Sequence, residues 1–116
     1  MAVKDCLFCK MVSGEIKPGM VYEDADLIAF RDIAPQAPTH VLIVPRKHIA
    51  SLDAAMPEDA ELLGKLALAA QKIARQEGIA ASGYRTVNNC NADAGQTVFH
   101  IHVHLLGGKR LISPFG

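Results

Sequence analysis

Phe99-His100-Ile101-His102-Val103-His104-Leu105-Leu106 is the stretch on which the fold turns. Each His is followed by an aliphatic residue, which is the period-two pattern of a half-buried strand. Successive side chains of a strand point to opposite faces, so His100, His102 and His104 are expected on one face. Ile101, Val103 and Leu105 then fall on the other face and belong to a core. Gly95 upstream and Gly107-Gly108 downstream punctuate the run.

Three aligned imidazoles invite a metal, but strand spacing argues against one shared ion. Neighbours two apart stand roughly 7 Å apart and the outer pair about 13 Å, against metal–nitrogen bonds of about 2 Å. Two of them can share an ion; three hardly can. The pattern points instead to one imidazole acting on a substrate while its neighbours position and protonate. Neutral imidazole is available near neutral pH and suits nucleophilic and acid–base roles alike. An exposed strand face that happens to carry histidines is the plainer alternative. Three of the five His of the chain in strict alternation between turn glycines weigh against it.

The run from His100 to Leu106 resembles the histidine-triad (HIT) motif, His-φ-His-φ-His-φ-φ with φ hydrophobic. The continuation Leu105-Leu106-Gly107-Gly108 is similar to the Hint branch, the histidine-triad nucleotide-binding proteins, rather than to the diadenosine-polyphosphate hydrolases. The resemblance implies an α+β fold: a five-stranded, mostly antiparallel sheet with one long and one short helix. It also implies a homodimer, with two sheets joined into one of ten strands through the long helix and the strand at 84–89.

Composition bounds the rest. The chain has 116 residues, half of them apolar, enough for one domain over residues 1–116 with a real core. Twelve Lys and Arg balance twelve Asp and Glu, which argues against a broad nucleic-acid or membrane footprint. A phosphate ligand must then be held by local dipoles and a few groups. There is no long apolar run and no basic-then-apolar leader, and three Cys are too few for a disulfide scaffold. A cytoplasmic protein is expected.

In chain order, Leu7, Phe8, Met11 and Val12 recur at helical spacing, and Ser13-Gly14 ends a short helix. Cys6 and Cys9 form a C-x-x-C, half of a zinc site that needs two further ligands; two buried thiols in a core helix are the other reading. His48, after the strand-like Val41-Leu42-Ile43-Val44-Pro45, and His100 would complete a tetrahedral set. Some HIT relatives bind zinc in this way, so the similarity implies a structural Zn2+ on Cys6, Cys9, His48 and His100. It would leave His102 and His104 for chemistry.

Met20-Val21-Tyr22-Glu23 and Leu27-Ile28-Ala29-Phe30 read as strands about a polar turn. The two prolines of the segment from Arg31 to His40 make it a loop that delivers Asp32 and His40 at its ends. By resemblance Asp32 accepts from both ribose hydroxyls, for a carboxylate has two acceptor oxygens and no donor. Leu7, Phe8, Met11, Ile33 and Leu42 would clamp the base by the same resemblance, with plain core packing as the alternative. A long helix is expected over about 57–77. Pro57 sits at its start, Leu62, Leu63, Leu66, Ala69, Ala70 and Ile73 form an apolar stripe, and Gly78 stops it.

Residues 84–89 read as a further strand, and 90–97 as a polar loop that turns backbone amides toward an anion. The similarity assigns phosphate contacts to Asn89, Gly95, Gln96 and Thr97; plain turn formation is the alternative. Cys90 has no evident role. The tail at 110–116 is too short for a helix of consequence.

The activity implied is hydrolysis of a purine nucleoside 5′-phosphoramidate to the nucleoside monophosphate and an amine. His102 is the expected nucleophile, forming a nucleotidyl-imidazole. His104 and the turn amides would stabilise phosphoryl charge, and His40 would relay protons. His100, the first member of the triad, is expected to belong to the catalytic set as well as to the zinc ligands. Dinucleotide-polyphosphate hydrolysis, a nucleotide-binding regulator with incidental catalysis and a metal-dependent hydrolase on His102 and His104 are the alternatives.

Overall fold

A computed structural model describes Val3 and residues 5–113. Among them, β1 (Met20–Glu23), β2 (Leu27–Arg31), β3 (Thr39–Pro45), β4 (Tyr84–Val87) and β5 (Val103–Gly107) form one sheet of order β1-β2-β3-β5-β4. All four neighbouring pairs are antiparallel. The α+β architecture with five strands, one short helix and one long one is as the sequence implies.

Burial on both faces explains the near-continuous apolar runs of β2 and β3. Leu27, Ala29, Val41, Ile43 and Leu105 share one cluster with Leu66, Ala69, Ala70 and Ile73 of α2 (Ala60–Gln76). The alternate residues Ile28, Phe30, Leu42 and Val44 pack on the other face against Phe8 and Cys9 of α1 (Leu7–Ser13). Strand parity thus assigns one face to scaffold and the other to the histidines. The edge strands β1 and β4 are only partly covered.

Local signals set the ends of both helices. The α1 helix stops at Gly14, whose φ of 85° is left-handed and whose N–H bonds the Met11 carbonyl. A 3-10 turn at Pro57–Asp59 precedes α2, with proline at the first position. The Asp59 carboxylate, 4% exposed, accepts from the Met56 N–H at 2.9 Å and from Lys47 Nζ at 2.6 Å. That ion pair ties the start of the helix to the segment following β3.

The expected strand boundaries shift in two places. The strand predicted at 84–89 ends at Val87, so Asn88 and Asn89 belong to the loop. The histidine strand begins at Val103 rather than Phe99. Only His104 lies in the ladder, opposite Leu42, while His100 and His102 precede it. The last three residues of the expected tail, 114–116, lie outside the described residues.

Candidate active site

The late start of β5 has a cause at Pro45. Ile43 pairs with Val103, so continuing the register would set Pro45 opposite Ile101. Proline has no N–H to give. The Ile101 N–H donates to the Ile49 carbonyl at 2.6 Å, and the Pro45 carbonyl accepts from His100 Nε2 at 2.7 Å. His100 is fully buried, and its proton must sit on Nε2, because a carbonyl only accepts. Its Nδ1 lone pair is thereby aimed elsewhere.

It is aimed at three other candidate ligands. His100 Nδ1 lies 3.3 Å from Cys6 Sγ, 3.6 Å from Cys9 Sγ and 3.2 Å from His48 Nδ1. His48 Nδ1 lies 3.3 Å from Cys9 Sγ. A tetrahedral ion with bonds of about 2.3 Å to sulfur and 2.0 Å to nitrogen places S and N about 3.5 Å apart and two nitrogens about 3.3 Å apart. The four residues therefore form a group that could hold a metal, all ligand atoms lying within 4.8 Å of one another. The Pro45 carbonyl is the outer partner that such a His ligand takes.

His102 is 7% exposed, and its Nδ1–H donates to the His100 carbonyl at 2.8 Å. The neutral ring then carries its lone pair on Nε2. Phe8 stands edge-on to it, with centroids 5.0 Å apart and planes at 88°. Burial lowers the His102 pKa, against the opposing effects of the His100 carbonyl and the Asp32 charge. The ring is neutral at pH 7, as a nucleophile must be.

His104 lies on the other side, its ring centroid 5.1 Å from that of His102. Its Nδ1 is 2.9 Å from His40 Nε2, and His40 Nδ1 accepts the Gln36 backbone N–H at 3.0 Å. That amide fixes the order of protons. His40 Nδ1 holds a lone pair, so Nε2–H donates to His104 Nδ1, and His104 presents Nε2–H outward. Asp32 Oδ2 stands 3.4 Å from His40 Nε2. Asp32, His40 and His104 also group closely enough to suggest an ion. With its proton on Nε2, His40 has no lone pair there to ligate one.

The remaining predicted residues divide. Asp32 is half-buried; its Oδ1 accepts the Ala34 N–H at 2.8 Å in a turn. Each carboxylate oxygen keeps a second lone pair. Phe8 and Leu42 are buried in one cluster with Met11 against it, while Leu7 is 41% and Ile33 100% exposed. Of the five clamp residues, only Leu7 and Ile33 offer open apolar surface. Asn89 is half-buried and lines a cavity together with His104, and Thr97 is exposed.

The loop after β4 corrects one expectation. The Gly95 and Gln96 amides donate to Ala92 and Asn91 carbonyls inside the loop. The Gln96 side chain accepts the Asn91 N–H at 2.7 Å and donates to the Ala50 and Val98 carbonyls. Every donor of Gln96 is spent on building the loop, and neither amide is turned toward an anion. The left-handed Asn91 and Gly95, at φ 66° and 89°, close it. Sequence reading also missed the orienting carbonyl of Pro45 and the orienting amide of Gln36. Backbone groups carry no residue-type signal.

Comparison with known proteins agrees with this geometry. A family model described as HIT domain matches residues 13–111. The purine nucleoside phosphoramidase of Escherichia coli K12 is 47% identical over 108 residues, covering 93% of this chain and 91% of that protein. The crystal structure of a HIT family hydrolase from Legionella pneumophila superposes with a TM-score of 0.94 at 51% identity, covering 97% of this chain and all of the other. A histidine-triad protein from Clostridium difficile gives 0.95 at 42% identity, covering 97% and 98% of the two chains. The fold and these relatives define a hydrolase. The chain belongs to the HIT domain family.

Burial of these rings makes stability depend on pH. His104 is pushed down to about 4, first by burial and then by the neighbouring His102 and His40. In the unfolded chain it titrates near 6.5. Between those values the unfolded chain binds a proton that the folded ring refuses, so stability falls as pH drops through that window. Urea midpoints are expected to be lower at about pH 5 than at pH 7, with the difference reduced in His104→Asn. A midpoint at pH 5 equal to that at pH 7 would contradict a ring held neutral.

Proposed function

We propose that this protein hydrolyses purine nucleoside 5′-phosphoramidates through a nucleotidyl-histidine intermediate. The observation that carries the reading is the His102 tautomer. The His102 Nδ1–H donates to the His100 carbonyl, leaving Nε2 as the attacking nitrogen beside an outward Nε2–H of His104. The resemblance to the E. coli phosphoramidase supports the substrate class.

In the first half, His102 Nε2 bonds to the α-phosphorus and the phosphorus–nitrogen bond of the substrate breaks. The leaving nitrogen takes the proton of His104 Nε2, which a solvent proton restores, while His40 Nε2–H holds His104 Nδ1 and the Asp32 carboxylate stands beside the pair. In the second half, water attacks the same phosphorus, His102 leaves as neutral imidazole, and the proton returns to solvent. His104 Nε2–H, the Asn89 amide and the Thr97 hydroxyl are the donors for phosphoryl oxygens. Asp32 receives the ribose hydroxyls, and the base lies over Leu7 and Ile33, with Phe8, Met11 and Leu42 beneath.

Zinc on Cys6, Cys9, His48 and His100 fits this reading as a structural ion. When bound, it would pin the first turn of α1 to the segments after β3 and before β5. It would thereby hold Phe8 against His102. The catalytic steps run on His102, His104 and His40 alone.

A homodimer paired through β4 and α2 completes the reading. The β4 strand is a sheet edge, and beside it an apolar groove is lined by Leu52, Leu63, Leu66, Tyr84 and Val103. No helix among the described residues is long and apolar enough to cross a membrane, and the three cysteines are free. Both agree with a cytoplasmic home.

Three measurements test these statements. His102→Ala should lower turnover of adenosine 5′-phosphoramidate by a factor on the order of 10³ or more while AMP affinity stays within a few-fold. Normal turnover in that variant would exclude the mechanism. Exhaustive chelation should lower the melting temperature yet leave turnover at a temperature well below it intact. Loss of turnover without loss of fold would place a metal in the chemistry. Sedimentation should give the mass of two chains at micromolar concentration, and a monomer would remove the ten-stranded sheet.

A further inference from the structure

On the side of the triad away from Phe8 and Leu7, a cavity of about 760 Å³ opens against His104 and His40. Its charged lining residues are Arg85 of β4 and Lys109 and Arg110, which follow β5; none is acidic. Neither Lys109 nor Arg110 has an ion-pair partner among the described residues. Arg85 Nη2 donates to the Ser113 carbonyl at 2.6 Å and so holds the segment after Arg110 as part of the wall. In a chain whose twelve basic and twelve acidic residues cancel, this is a local concentration of one sign.

The cavity opens on the His104 side of the site, where the leaving nitrogen is protonated in the reading above. In-line displacement expels the leaving nitrogen on the side opposite the nucleophile. Asp32, Leu7, Phe8 and Ile33, which serve the nucleoside in the reading above, do not line this cavity, whereas the proton-donating His104 does. Whatever is attached to the departing amine therefore extends toward Arg85, Lys109 and Arg110.

We propose that this cavity selects phosphoramidates whose amine carries a carboxylate, as amino-acid adducts do. The inference rests on the phosphoramidase reading and adds to it the class of leaving group. A carboxylate offers two acceptor oxygens to guanidinium and ammonium donors. A neutral substituent gains nothing from these cations, and a cationic one is repelled.

Adenosine 5′-phosphoramidates of γ-aminobutyrate and of its amide test this directly, since the two amines are close in basicity and only one substituent is charged. The ratio of their kcat/KM values, measured on one preparation, does not depend on the fraction of protein correctly folded. The intact protein should favour the carboxylate by about tenfold at low salt, with the preference shrinking as ionic strength rises. The double variant Lys109→Gln/Arg110→Gln should bring the ratio close to unity. A ratio at or below one in the intact protein, or a ratio unmoved by the double substitution, overturns the proposal. The unsubstituted adenosine 5′-phosphoramidate separates the two levels. If it is not hydrolysed, the phosphoramidase reading fails and this inference with it; if it is hydrolysed without carboxylate preference, only the leaving-group inference fails.

Discussion

Pro45 lacks an amide hydrogen at the position where the ladder between β3 and β5 would next use one, and around this end of the ladder backbone carbonyls orient two of the histidines. With no donor there, the chain from His100 to His102 leaves the sheet and finds other partners. Ile101 takes the Ile49 carbonyl, and the freed Pro45 carbonyl takes the His100 ring. The His100 carbonyl, outside the ladder as well, is then available to His102 Nδ1.

From there, hydrogen bonds to backbone fix the tautomer of each histidine in turn. His100 and His102 are set by carbonyls, and His40 is set by the Gln36 amide. His104 receives its orientation second-hand, through His40. These assignments hold only for neutral rings, and burial supplies that condition: it is the leading cause lowering the pKa of His100, His102 and His104 alike. Desolvation and directed hydrogen bonds therefore act together. One keeps His100, His102 and His104 uncharged, and the other decides which nitrogen is left to react.

The two faces of the sheet divide the labour. On one, α2 and the alternate residues of β2, β3 and β5 bury aliphatic side chains and carry no titratable group of the site. On the other, the α1 cluster of Phe8, Cys9, Leu42 and Val44 abuts the histidines. The Gly107-Gly108 pair lets the exit from β5 pass close to its neighbours. A Cβ on Gly107 would come within 2.6 Å of Ile79 Cδ1, and Gly108 adopts φ 89° beside Pro38. The segment bearing Lys109 and Arg110 is thereby turned back along the cavity beside His104.

Much of this was legible in the residues themselves. Strand parity is covalent, so the alternation of Val103, His104 and Leu105 decided which side chains share a face before any neighbour was known, whereas His100 and His102 lie ahead of the strand. Pro57, Gly78 and Gly14 set helix limits through their own backbone preferences. The C-x-x-C spacing gave half of the four-residue group, and the resemblance to histidine-triad proteins named the rest. The tertiary structure decided what those residues touch. It brought Cys6 to within 3.3 Å of His100 across 94 positions of chain, spent the Gln96 amide on its own loop, and gathered Arg85 with Lys109 and Arg110 around one cavity. Backbone stereochemistry acts over a few residues, whereas the partner of a buried donor or a lone pair is whichever group folding carries into reach.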